Sequence, residues 1–61
     1  MITSTRQKQE RVVGNLLVTM PITRNGAVTL RGKAVWRVTA HTWNVNGKTL
    51  FLAEAIAEVL R

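Results

Sequence analysis

Hydrophobic residues in the first third of the chain recur with the spacing of one helix face. The positions that share this 3.6-residue period are Val12, Val13, Leu16, Leu17 and Met20. Ser4, with Gln7 three residues later, has the pattern of an N-terminal capping box. Pro21 ends the pattern, because its ring blocks a preceding helical turn. The sequence therefore predicts a helix over residues 5–20, and a strand over residues 15–20 is the competing interpretation.

The middle of the chain has the composition of β-strands. Five of the twelve residues between positions 34 and 45 are β-branched, and such side chains pack better on a pleated sheet than in a helix. Arg31-Gly32-Lys33 precedes this stretch and Asn46-Gly47 follows it, and Asn-Gly is the strongest short hairpin signal. The sequence therefore predicts strands over residues 27–30, 34–45 and 48–52.

The register of these strands depends on the length of the turns. A two-residue turn would pair Val45 with Lys48, whereas a three-residue loop would pair Asn44 with Lys48. The longer loop is favoured because it collects apolar residues on one face, and a slip of one residue would reverse that sorting. The apolar face would then hold Val28, Leu30, Ala34, Trp36, Val38, Ala40, Leu50 and Leu52. The opposite face would hold Thr29, Val35, Arg37, Thr39, His41, Trp43, Thr49 and Phe51.

The last ten residues, LAEAIAEVLR, are typical of a helix, since Ala and Leu are strong helix formers. A helix over residues 53–61 completes a single α+β domain of order α-β-β-β-α over residues 1–61, with residues 1–4 disordered. Its three-stranded antiparallel meander would carry both helices on the apolar face and leave the other face bare. The alternative is a mostly α fold, ribbon-helix-helix or helix-turn-helix-like, because positions 36, 40 and 43 also fit helical spacing.

Basic residues outnumber acidic ones, and they lie ahead of the last helix. The chain has nine Lys and Arg against three Glu, a net charge of +6. Residues 1–53 carry eight of these basic residues and only Glu10, which gives +7, and residues 54–61 carry −1. Such an excess attracts polyanions over about one Debye length, roughly 8–10 Å. The charge indicates nucleic acid as the first partner to consider and an acidic protein as the second.

Residue types that the chain lacks disfavour other classes of function. It has no cysteine, no aspartate and one histidine, so we predict no catalytic residue, no metal site and no cofactor. His41 has no cysteine to activate and no aspartate to orient it. We therefore expect a protein that is not an enzyme and has no small-molecule substrate. The apolar run from Val12 to Met20 is too short for a membrane span and is a poor secretory signal, so we expect a cytoplasmic protein with no membrane partner.

The bare face of the predicted sheet is the candidate interaction surface. Cations attract phosphate groups, and aromatic rings stack on unpaired bases with about 1–3 kcal/mol each. The residues predicted to contact nucleic acid are Arg31, Lys33, Arg37, His41, Trp43 and Lys48. The sequence therefore predicts a small basic regulatory protein that binds DNA or RNA through this face.

The alternative hypothesis is a protein–protein interaction module, such as a small inhibitor of an acidic target or a homodimeric regulator. A chain of this length buries only about 60% of its unfolded surface, and self-association is a common remedy. The same face would then provide the interface, with Val35, Trp43 and Phe51 as the partner-binding residues.

Overall fold

The computed structural model describes residues 5–61, so the disorder expected for residues 1–4 lies outside the described residues. The elements in chain order are α1 (Thr5–Thr19), a 3₁₀ turn (Arg24–Gly26), β1 (Val28–Leu30), β2 (Lys33–Arg37), β3 (Thr42–Val45), β4 (Lys48–Phe51) and α2 (Leu52–Leu60). The strands form one antiparallel sheet in the order β1-β2-β3-β4. The prediction of an α+β fold with a meander between two helices is confirmed, but the described sheet has four strands where three were predicted.

The single long strand predicted over residues 34–45 is wrong, because this stretch forms two strands joined by a turn. The turn contains neither glycine nor proline, and Thr39 builds it instead. The Thr39 hydroxyl accepts a hydrogen bond from the backbone N–H of His41 at 3.2 Å and lies 2.6 Å from the hydroxyl of Thr42. The Thr39 N–H donates to the Thr42 carbonyl. Threonine hydroxyls can stabilise a turn in this way without the backbone freedom of glycine.

The two other hairpins close with two-residue turns, which corrects the predicted three-residue loops. Leu30 pairs with Lys33 across the first turn, and Val45 pairs with Lys48 across the second. The four turn residues all have positive φ angles, between 51° and 89°: Arg31, Gly32, Asn46 and Gly47. Such angles are those of a type I′ turn, whose twist matches the strands on either side.

This register reverses the predicted faces of the middle segment, so that Val35 and Trp43 are covered and Trp36 is not. Leu30 and Leu50 lie on the covered face as predicted, and Phe51 lies on the opposite face as predicted. The inner face, which packs under the helices, carries Leu30, Val35, Trp43, Val45 and Leu50. The outer face carries Thr29, Ala34, Trp36, Thr42, Asn44, Thr49 and Phe51. Val35 is fully buried and Trp43 is 1% exposed, so the expectation that these two residues point outward is wrong. The pleat puts them on one common face, but it does not determine which face the helices cover.

The two helices complete the core above the inner face. α1 contributes Leu17 and Met20 to it, and α2 contributes Ala55 and Val59. A Cβ atom at Gly14 would lie 3.2 Å from Cδ1 of the Ile56 side chain. An alanine at this position would require the end of the Ile56 side chain to shift by a few tenths of an ångström, so Gly14 gives α1 room beside α2 at a cost in helix propensity.

Candidate functional site

The outer face carries two aromatic residues that no helix covers. Trp36 on β2 is partly exposed, and Phe51 at the end of β4 is 65% exposed. Trp36 pairs across the sheet with Asn44, which pairs in turn with Thr49. Phe51 lies two residues after Thr49 on β4, so its side chain points to the same face. From strand spacing and rise, the Cα atoms of Trp36 and Phe51 are about 12 Å apart. The two rings can therefore serve as separate stacking platforms on one surface.

The loop before β1 places a cation beside the first of these rings. The guanidinium carbon of Arg24 lies 5.9 Å from the centre of the Trp36 ring, within the range of a cation–π interaction. The loop is fixed by a close approach, because a Cβ atom at Gly26 would lie 2.7 Å from Cγ of Pro21. Thr23 also accepts a hydrogen bond from the N–H of Asn25 at 3.2 Å. Arg24 is thus held at the outer face by a compact turn.

Arg37, predicted to lie on the bare face, is directed toward the end of α1. Its Nη1 donates to the carbonyl oxygens of Val18 at 2.8 Å and Met20 at 3.2 Å, and its Nη2 donates to that of Ala40 at 2.9 Å. α1 has no basic residue in its last turn. Arg37 therefore supplies the positive charge that favours a helix C-terminus, and its predicted location on an exposed face is wrong.

Trp43 has a related structural role. Its indole Nε1 donates to the carbonyl oxygen of Leu17 at 2.9 Å, and the Arg37 guanidinium carbon lies 5.2 Å from the centre of its ring. Together, Arg37 and Trp43 form a clamp on the C-terminal carbonyl groups of α1, which we call the α1 clamp. Because Trp43 is buried by its own chain, it is part of the core and offers no surface to a partner.

Two further predicted contacts face α2 on the inner side of the sheet. Lys33 donates through Nζ to the carbonyl oxygen of Val59 at 3.5 Å. Lys48 lies 3.6 Å from the carboxylate of Glu58, which also pairs with Arg61 at 3.5 Å. Lys48 stays 59% exposed, so this ion pair is a weak one. Both lysines lie near the C-terminal end of α2, where cations are stabilising.

The remaining predicted residues lie at the edges of the sheet. His41 is exposed in the β2–β3 turn, and Arg31 lines a groove beside α1. Among the predicted partner-binding residues, Phe51 is exposed on the outer face. The structure thus places Arg24 beside Trp36, and it places Phe51 on the same face of the sheet about 12 Å away. Of these three residues, only Phe51 was predicted from the sequence. The sequence feature that could have identified this pair of aromatic residues is Asn46-Gly47. A two-residue turn there fixes a strand register that puts Phe51 on the same face as Trp36.

The carboxylates of the described residues lie on the helices, and that of Glu54 reaches the end of β4, where it accepts a hydrogen bond from the backbone N–H of Phe51 at 3.2 Å. Glu10 is on α1, and Glu54 and Glu58 are on α2. Residues 24–51, which form the 3₁₀ turn and the sheet, carry five Lys or Arg and no Asp or Glu. The sheet residues themselves therefore contribute no negative charge that would repel a phosphate chain, and Glu54 places one carboxylate beside Phe51.

No protein-family model, curated protein or solved structure matches the chain. Within residues 5–61, no helix is long and apolar enough to cross a membrane. The same residues contain no group of three or more His, Cys, Asp or Glu side chains arranged to hold a metal ion.

Proposed function

We propose that the protein binds single-stranded DNA or RNA on the outer face of its sheet. The observation that supports this best is the presence of the Arg24–Trp36 pair and of exposed Phe51 on one face that neither helix covers. Aromatic side chains stack on bases of any sequence, and a nearby cation attracts the phosphate backbone. The expected regulatory role, the cytoplasmic location and the absence of enzymatic activity stay predictions.

The exposed aromatic rings of the outer face favour binding of a single strand over binding of a duplex. Stacking requires that the flat surface of a base be accessible, and in a duplex that surface is covered by the neighbouring base pairs. The polar side chains of Asn44 and Thr49 lie on the same face as Trp36 and Phe51. These side chains can hydrogen-bond to base edges that an unpaired strand exposes.

The two tryptophans allow binding and folding to be followed in one sample. Trp36 is partly exposed on the outer face, while Trp43 is buried. A bound oligonucleotide should quench the fluorescence of Trp36 and leave that of Trp43 unchanged. In Trp36→Leu, the remaining signal of Trp43 should report a folded protein and show no quenching. Removing one stacking platform should weaken binding about 5- to 150-fold, which corresponds to about 1–3 kcal/mol.

A pair of arginine variants tests the location of the site. Arg24→Gln removes the cation beside Trp36, and Arg11→Gln removes an exposed cation from α1. Both variants lose one positive charge, so long-range attraction falls equally in both. We expect Arg24→Gln to weaken oligonucleotide binding more strongly, as measured by fluorescence anisotropy. Equal effects of the two variants, or no binding at about 50 mM salt, would reject the outer face as a nucleic-acid site.

Self-association through the same face is the second candidate function. Phe51 leaves a large apolar side chain exposed on β4, an edge strand whose backbone groups can pair with another strand. Sedimentation of the wild-type protein and of Phe51→Ser separates the two functions. A dimer that Phe51→Ser dissociates, in a protein that binds no oligonucleotide, would favour this second function over the first.

A further inference from the structure

A groove of about 350 Å³ lies on the helix side of the sheet, and the outer face contributes none of its residues. It is formed by the N-terminal half of α1, the β1–β2 turn and the last turn of α2. Leu60 forms a buried part of its lining, at 7% exposure, and Val13 is partly buried. Val12 lines the groove on the solvent side, at 63% exposure. Within residues 5–61, the groove therefore offers apolar contacts that no other described residue covers.

Two cations line the same groove. Lys8 comes from α1 and Arg31 comes from the β1–β2 turn, and both side chains are exposed. The lining contains no acidic residue of the described chain. Within residues 5–61, the ion pairs of Glu10 and Glu58 are made with other basic residues: Arg6, Lys48 and Arg61. The positive charge of the groove is thus available to an external anion.

We propose that this groove binds an amphiphile with one carboxylate and an unbranched hydrocarbon chain of medium length. The carboxylate would lie near Lys8 and Arg31, and the hydrocarbon chain would cover Val12, Val13 and Leu60. Small-molecule sites are mostly apolar, carry a few orienting polar groups and begin at about 300 Å³. The size and lining of this groove agree with the lower end of that range. The proposal is independent of nucleic-acid binding, because none of the residues it uses belongs to the outer face.

A series of ligands tests the two halves of the site separately. Octanoate, decanoate and dodecanoate, each below its micelle concentration, are titrated into ¹⁵N-labelled protein, and amide shifts of α1 and the β1–β2 turn are followed. Affinity should rise about fourfold with each buried methylene and level off when the groove is full. Decanol should bind more weakly than decanoate, and decyltrimethylammonium weakest. Equal binding of these three probes, or shifts spread over the whole surface, would overturn the proposal.

Variants that keep the fold locate the site. Arg31→Asn removes the cation and retains a residue that tolerates the positive φ of position 31, which is 51°. The double variant of Arg31→Asn and Lys8→Gln should lower the affinity for decanoate by at most about fivefold for each cation removed. Its affinity for decanol should stay unchanged. Val12→Asp alters an exposed position and should abolish binding of both. Arg11→Gln, outside the groove lining, is the matched control, and an equal loss of decanoate binding in it would contradict the site.

A peptide titration separates this ligand from an acidic protein partner. An acidic peptide with one leucine side chain presents both charge and apolar surface, but it lacks the hydrocarbon chain. We expect decanoate to compete it off and to bind more tightly. If the peptide binds more tightly than every carboxylate of the series, the groove is a protein-docking site and the amphiphile proposal is wrong.

Discussion

Replacing Arg37 by methionine removes the cation of the α1 clamp and preserves much of the side-chain length. The guanidinium donates to three carbonyl oxygens, two of them at the end of α1. The Met20 carbonyl is partly buried, whereas the contacts to Val18 and Ala40 are exposed. In the variant, water can replace the guanidinium at the two exposed carbonyls. The variant therefore loses chiefly the bond to Met20, the charge at the helix terminus and the contact with Trp43.

The size of the loss follows from these three contributions. A hydrogen bond to a charged group, such as the partly buried one between Arg37 and the Met20 carbonyl, contributes about 1.5–3 kcal/mol. A cation at a helix C-terminus contributes about 0.3–1 kcal/mol, and a cation–π contact about 0.5–1 kcal/mol. Against them, the Nε atom of Arg37 is buried without a hydrogen-bond partner, and its removal recovers about 1 kcal/mol. We expect Arg37→Met to lower the free energy of unfolding by about 2–3 kcal/mol.

Thermal unfolding, followed by Trp43 fluorescence and far-ultraviolet circular dichroism, measures this loss. For a domain of this size, 1 kcal/mol shifts the Tm by about 4–8 °C, so the expected decrease is about 10–20 °C. Arg24→Met, which removes an exposed cation, is the control and should change the Tm little. Arg37→Lys keeps the charge but lacks the planar fork of donors, so it should fall between the two. A Tm of Arg37→Met equal to that of Arg24→Met would refute the α1 clamp.

Three other substitutions test the packing around the helices and turns in the same assay. Trp43→Phe removes the indole donor to Leu17 and should cost about 0.5–1.5 kcal/mol, because the Leu17 carbonyl loses one hydrogen bond and keeps that from the N–H of Met20. Gly14→Ala should stabilise α1 by up to about 1 kcal/mol, since only the flexible end of Ile56 must shift; a clear loss would show a rigid contact. Gly47→Ala should destabilise by about 1–2 kcal/mol, because its φ is 89°.

The elements of the fold could be predicted from the sequence because their signals are local. The period of apolar residues gave α1, and the alanine-rich composition gave α2, each within one residue of its observed bounds. The β2–β3 turn could not be found in this way, because hydrogen bonds of Thr39 replace the usual glycine or proline. The alternation of β2 and β3 correctly grouped Val35 with Trp43, but burial of that face depends on contacts with helices distant in sequence.

The candidate site was harder to predict because the inner positions of β2 are cationic. Lys33, Val35 and Arg37 alternate along one face, and both cations reach carbonyl oxygens at helix C-termini. A charged residue on a strand is ordinarily taken to mark the face that contacts solvent. Here both helices end over the inner face of the sheet, and cations on that face stabilise their C-terminal carbonyl groups. The net charge of +6 therefore overestimates the positive charge that is present on the outer face.

This distribution of charge limits how nucleic acid can bind. On the outer face, Arg24 is the cation beside an aromatic ring, and His41 lies at its edge. With one or two phosphate contacts to a single strand, log affinity should fall by only about 0.7–1.4 per log unit of salt. Most of the binding free energy would then come from stacking on Trp36 and Phe51. Loss of binding in Trp36→Leu should accordingly exceed the loss caused by raising salt from about 50 to 200 mM, and the reverse order would place the site on the basic helix α1 instead.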